Sequence, residues 1–230
     1  MTRLSLAAKL LGAAALLMLA AGLFWGLMVV PPDAFQGEVQ RIMYLHVPSV
    51  STAYLAVFVT FCTSVLYLWK RDLRFDAVAV SSAEIAVVFF GITLATGAIW
   101  GKPTWGVWWT WDARLTLTAI VFTMYVGYLM LRAFAEEPQA GARYGAVLAI
   151  LGLPAIILNH FAVQWWRTLH QPSSLLRAGG PSVAPAMLVP LAVNFVGLVL
   201  LYSYLLLERV RLERIRHRSA ELRLKRGRRG

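Results

Sequence analysis

Ala77 to Ala98 reads AVAVSSAEIAVVFFGITLATGA, with Glu84 as its one charged residue. A bilayer's hydrocarbon core is about 30 Å thick, and a helix needs roughly 20 apolar residues to cross it. This stretch has that length. In lipid only helices and closed barrels satisfy their own backbone hydrogen bonds, and barrel strands alternate apolar with polar residues. No such alternation is present, so the stretch reads as a transmembrane helix.

Outward from it, apolar runs of similar length fall at about 7–30, 48–69, 78–99, 114–134, 144–163 and 185–207. The chain is 59% hydrophobic and 14% charged, where a soluble domain carries about 25% charge. Its mean hydropathy of +0.65 points the same way. The expected fold class is an all-α integral membrane protein, a six-transmembrane-helix bundle with both termini cytoplasmic. Residues 1–207 form one membrane domain with an outer Trp-rich loop at 100–113, and 208–230 form a basic cytoplasmic tail. Arg3 and Lys9 precede the first run much as in a signal peptide. A signal's apolar region spans only 7–15 residues, whereas this one reaches from Leu10 to Val30 before Pro31 and Pro32. It reads as a retained first helix.

The formal net charge is +11, and its distribution sets the orientation. With the N-terminus inside, six crossings leave 17 Lys and Arg on the cytoplasmic side and five outside: Arg41, Lys102, Arg114, Arg167 and Arg177. That bias satisfies the positive-inside rule. A basic segment directly after a membrane helix suits anionic lipid, so lipid and not nucleic acid is its expected partner. The cytoplasmic connections, about 70–77 and 135–143, are short and make antiparallel neighbours of the helices they join. The outer connections, Pro31 to Val47, Trp100 to Ala113 and Gln164 to Ala184, are longer and rich in aromatics, His, Pro and Gly. The working surface is therefore expected outside.

Five of the nine tryptophans lie in WGKPTWGVWWTWDARLT, at 100, 105, 108, 109 and 111. Tryptophan also favours the membrane–water boundary, so an aromatic belt is one reading. Five in one loop make a contiguous flat surface, which suits a large planar apolar ligand whose polar edge can meet indole N–H groups. If the segment is helical, Trp105, Trp108 and Trp109 share a face.

His46, in RIMYLHVPSV, precedes the second run, and His170, in QWWRTLHQPSS, follows the fifth. Pro48 fits a first helical turn and pushes Val47 towards an extended conformation, which places His46 at the helix boundary. Two histidines on one side, each near Trp-rich sequence, suit axial ligation of haem iron by neutral imidazole. His160 reads as a buried hydrogen-bonding residue. A zinc site would need three or four close ligands. The lone Cys62 allows no intrachain disulfide, and no CxxCH attaches haem covalently. Haem propionates call for cations, with Arg41, Arg114 and Lys102 as candidates. Arg114 has a local pair with Asp112 as its competing role, and Asp112 itself can cap the fourth helix. Glu84, the one carboxylate inside a run, is expected to pair structurally.

WGVWWTWD at 105–112 resembles the signature of haem-handling membrane proteins of cytochrome c biogenesis. The continuation WDARLT, the boundaries MYLHVPS and WWRTLHQPS, and six spans make the chain similar to the CcmC family over about 7–207. That resemblance implies transient haem b with bis-histidine ligation by His46 and His170. It also implies a platform of Trp105, Trp108, Trp109, Trp111 and Asp112. The implied job is to present haem at the periplasmic face of the bacterial inner membrane to the chaperone CcmE. The resemblance also implies the ABC subunits CcmA and CcmB and the small CcmD as partners, and the absence of a phosphate-binding loop in this sequence fits ATP being handled by a partner. It is expected to be an assembly factor and not an enzyme. The rivals are a haem-translocating permease, with Pro154 and Pro190 as weak signs of broken helices, and a b-type haem electron-transfer protein.

Overall fold

The computed structural model describes residues 5–175 and 177–227, with the side chains of 217, 218 and 220–227 left aside. His217 and most tail side chains therefore lie outside the described residues. Six helices are long and apolar enough to cross a membrane, and the described residues form no β-strand. The chain is a multi-pass, all-α membrane protein.

Helix α1 (Leu6–Phe24) continues through a π-helical turn (Trp25–Val29), and a 3-10 turn (Glu38–Ile42) leads directly into α2 (Met43–Lys70). Then follow α3 (Leu73–Trp105), α4 (Ala113–Phe134), α5 (Pro138–Trp165) and α6 (Pro185–Gly227). Local chemistry sets the ends. Arg71, at φ +56°, closes α2 in the left-handed region, and the Asp72 carboxylate accepts from the Arg74 N–H to open α3. Gly106, at φ +80°, stops α3, a conformation that a Cβ disfavours. Asp112 caps α4 by accepting from the Leu115 N–H at 2.9 Å. Pro138 begins α5, where its missing N–H costs nothing.

The helices outrun their apolar cores, and three expectations change as a result. Val47 is helical rather than extended, and Pro48 lies inside α2. In lipid, unwinding the chain there would strand backbone groups that no water can satisfy. The tryptophan segment is not one helix: Trp100 and Trp105 belong to α3, while Trp108, Trp109 and Trp111 follow Gly106 in a loop. Finally, α5 and α6 run unbroken through Pro154 and Pro190, so these prolines do not make discontinuous helices.

α2 packs on α3 and α4 on α5, as the short connections require, and α2 meets α5 while α3 meets α4. α6 lies against α2 and α3, with α1 along its other side. Lipid tails are as apolar as leucine, so the contacts depend on close packing of small residues and on polar links. Ala53, Ala56, Ala83 and Ala86 are wholly buried between α2 and α3 in the main core. The Ser82 hydroxyl lies 2.8 Å from both the Ala56 carbonyl and the Tyr202 hydroxyl, so α2, α3 and α6 meet at one point. At the tail-bearing end Arg132 of α4 forms a two-pronged pair with Asp76 of α3, at 2.6 and 2.8 Å. Glu84 pairs with Arg209 of α6 at 2.6 Å, the structural role expected of it.

Candidate functional site

At the opposite end, a cavity of about 670 Å³ opens among α2, α3, α4, α5 and the loop that follows α5. Ligand pockets of roughly 300–1,000 Å³ accept molecules of drug size and above. Its walls are mainly apolar and aromatic, and both His46 and His170 line it. Two elements distant in sequence thus bring one imidazole each to the same space, one from the first turns of a helix and one from a loop.

Both rings have a hydrogen-bond partner at Nδ1. His46 Nδ1 lies 2.9 Å from Thr96 Oγ1. The Thr96 hydroxyl also reaches main-chain carbonyls of its own helix, chiefly Ile92 at 2.7 Å. With its hydrogen turned to Ile92, Thr96 accepts from His46, an arrangement that favours the proton on Nδ1. His170 Nδ1 lies 2.8 Å from the Gln171 carbonyl, which also can only accept. Protonation at Nδ1 would leave Nε2 as the lone-pair nitrogen of each ring, the arrangement of imidazoles that bind metals.

His170 belongs to the loop outside the spans, and burial pushes its pKa down from 6.5 to about 4. The Arg114 guanidinium pushes the same way, while the Gln171 carbonyl and Asp112 oppose it. A lowered pKa favours the neutral ring, so His170 stays neutral throughout the physiological range and protonates only in acid. A pH titration of the ¹⁵N-histidine signals of the haem-free protein is expected to place His170 near pH 4. A midpoint near 6.5 would mean an open, water-exposed ring.

The aromatic wall differs from the one expected. Trp100 meets His46 edge-on at 5.7 Å between centroids, and Trp105 meets His170 at 6.4 Å. Trp109 also lines the cavity, whereas Trp108 and Trp111 do not. They are 58% and 80% exposed, because the chain after Gly106 leaves the helical path that would have aligned them. Trp100 is fixed by its indole N–H, which donates to Gln36 Oε1 at 2.7 Å. The Trp109 Nε1 and Thr93 Oγ1 are buried without partners, so a polar ligand atom would satisfy them.

Among the cations, Arg114 lines the cavity and donates to the carbonyl of His160 at 3.1 Å and, more weakly, to that of Asn159 at 3.4 Å. It thereby ties α4 to α5, and among the described residues it makes no ion pair with Asp112. Arg41 is not brought to the site. It pairs with Glu38 and donates to the Gly26 carbonyl at 2.9 Å, because Glu38 sits one helical turn earlier. Lys102 is likewise turned to its own helix end, donating to the Gly106 carbonyl. Asp112 does more than cap α4, since its other oxygen accepts from the Leu169 N–H at 3.1 Å, next to His170. One carboxylate therefore fixes the start of α4 and the His170 loop together.

His160 is exposed and not buried. The buried hydrogen-bonding residue is its neighbour Asn159, which donates to Thr118 at 2.8 Å and accepts from Tyr54 at 3.2 Å, joining α5, α4 and α2 in the cavity wall. Asn159, Thr96 and Gln36 were not anticipated from the sequence. A polar residue inside an apolar run was the one available signal for Asn159 and Thr96.

The set of groups fits haem. There are two imidazoles with available lone pairs, a largely apolar aromatic cavity, one arginine in its wall and unpartnered donors. Comparisons agree. The chain matches the family model of heme exporter protein C over residues 2–225. It is 38% identical over 218 residues to heme exporter protein C of Bradyrhizobium diazoefficiens, covering 93% of this chain and 81% of that one. Against the heme exporter protein C of Haemophilus influenzae it is 39% identical over 200 residues, covering 86% and 80%. With that of Escherichia coli K12 it shares 36% over 225 residues, covering 95% and 90%. A family match over residues 2–225 and similarity at these levels over most of the chain place it in the CcmC family, heme exporter protein C.

Proposed function

We propose that the protein holds haem in this cavity and hands it to the membrane-tethered chaperone CcmE during cytochrome c maturation. The observation that carries the reading is the pair of imidazoles, His46 and His170, lining one cavity with each Nδ1 held by a hydrogen-bond partner. Haem b is cargo here, held transiently through both rings. Trp100, Trp105 and Trp109 cover its apolar surface, and Arg114 meets a propionate. Arg41 has no part in this.

The charge distribution supports an orientation with both termini in the cytoplasm and the cavity at the periplasmic face of the inner membrane. There a chaperone docked on the loops meets an edge of the ring while the iron stays ligated. ATP-driven release of the loaded chaperone belongs to CcmA and CcmB with CcmD. This chain acts as an assembly subunit, and its basic tail, 208–230, faces anionic lipid.

The test is covalent haem on CcmE, measured in cells carrying each single histidine variant. Loading is expected to fall to background in both His46→Ala and His170→Ala. Full loading in either would sink the delivery role.

A further inference from the structure

We infer that Thr96 is a positioning residue that fixes the tautomer and orientation of His46, so that Nε2 and not Nδ1 is offered to the haem iron. The inference rests on the reading of the cavity as a haem site, but the hydrogen bonds behind it are independent of that reading.

A histidine on the first turns of a transmembrane helix has few acceptors within reach, and α3 offers His46 the Thr93 main-chain carbonyl and the Thr96 hydroxyl. Left alone, its ring would exchange tautomers and rotamers. Thr96 removes that freedom. It lies on the neighbouring helix, half-buried, and its oxygen meets His46 Nδ1 at 2.9 Å. Its hydrogen is spent on the Ile92 carbonyl at 2.7 Å, one turn back, a habit of threonine in helices. Donation to Ile92 polarises the hydroxyl and makes its oxygen a better acceptor. In this arrangement the bonds run from His46 through Thr96 to Ile92, and a reversed tautomer would cost Thr96 its bond to Ile92.

Gly97 completes the device. A Cβ there would lie 3.1 Å from His46 Cε1, so glycine leaves the room in which the ring reaches Thr96. The partner of a metal-bound imidazole typically accounts for 10–100-fold in metal affinity. The two ligands are also unequal. His170 is held by its neighbour's main chain, which no substitution removes, whereas His46 has the replaceable Thr96 side chain at Nδ1 as well as the Thr93 main-chain carbonyl nearby.

The experiment uses full-length protein in detergent with selectively ¹⁵N-labelled histidine. The chain has four histidines, so the ring signals can be assigned by single substitution. In haem-free wild type, His46 is expected to show a protonated Nδ1 and a bare Nε2. Thr96→Val keeps the shape and removes the acceptor. It is expected to mix the tautomers and to weaken haem binding roughly 10-fold or more, with a rise in high-spin absorption. Thr96→Ser is expected to restore both. Should Thr96→Val not fold, Gly97→Ala probes the same contact by pushing the ring off Thr96, and is expected to give the same tautomer mixture. A wild type that binds no haem overturns the cavity as a haem site. Wild type that binds haem, with Thr96→Val or Gly97→Ala matching it in ring signals and affinity, overturns the role of Thr96.

Discussion

Replacing either His46 or His170 by alanine is expected to lower haem affinity by more than about 100-fold, because even the partner of a ligand is worth roughly 10–100-fold. The absorption spectrum of purified protein is expected to change from six-coordinate low-spin in wild type to five-coordinate high-spin in either variant. The two losses should differ in character. His46 stands on α2 with its Nδ1 bonded to another helix, so its removal leaves a rigid gap that added imidazole can fill. His170 rides on a loop fixed through Asp112 to the Leu169 N–H, and the loop can shift when the ring is gone. Rescue by imidazole is therefore expected to be fuller in His46→Ala. Two low-spin variants at one haem per chain would remove the ligand pair altogether.

The fold was readable because its cause is simple. Stretches such as Ala77 to Ala98 admit one conformation in lipid, and six of them make a bundle whose short connections decide which helices are neighbours. The helix ends were less legible. A hydropathy window sees the apolar core, and it does not see that Glu38–Ile42 winds directly into α2 or that α3 carries Trp100 and Trp105 beyond the apolar stretch. That difference mattered at the site. The tryptophans were expected to form one platform, but Gly106 divides them into two on a helix and three in a loop, of which only Trp109 lines the cavity. His46 and His170, singled out by their chemistry and their expected side of the membrane, both line the cavity, and that reading needs no exact helix end. Arg41 lies away from the cavity for a local reason, since Glu38 and the Gly26 carbonyl engage it. Thr96 and Asn159 could not be singled out because small polar residues are common in spans, and only the packing of α2 against α3 and of α4 against α5 gives these two their partners.

Asp76→Asn is expected to destabilise the protein by about 3–5 kcal/mol, the usual cost of leaving one charge of a buried pair uncompensated. The Asp76 side chain is 3% exposed and that of Arg132 13%. With both oxygens bonded to the guanidinium at 2.6 and 2.8 Å, the amide can accept one of those bonds but brings no charge. Arg132 would then keep only the weaker influence of the buried Glu213 carboxylate at the tail-bearing end of α4. Removing both charges together is a different matter: Asp76→Leu with Arg132→Leu is expected to cost less than either single change, since apolar replacement of a buried pair is often neutral. Unfolding in detergent, followed by circular dichroism, measures all three. Arg114 and Arg132 stand five turns apart on α4, about 27 Å, so the ion pair holds the far end of the helix whose first turn carries Asp112 and Arg114. If its role is only to anchor that helix, the folded fraction of Asp76→Asn keeps the wild-type haem spectrum while its melting point falls. A changed spectrum at full stability would instead mean that the pair communicates along α4 with the cavity.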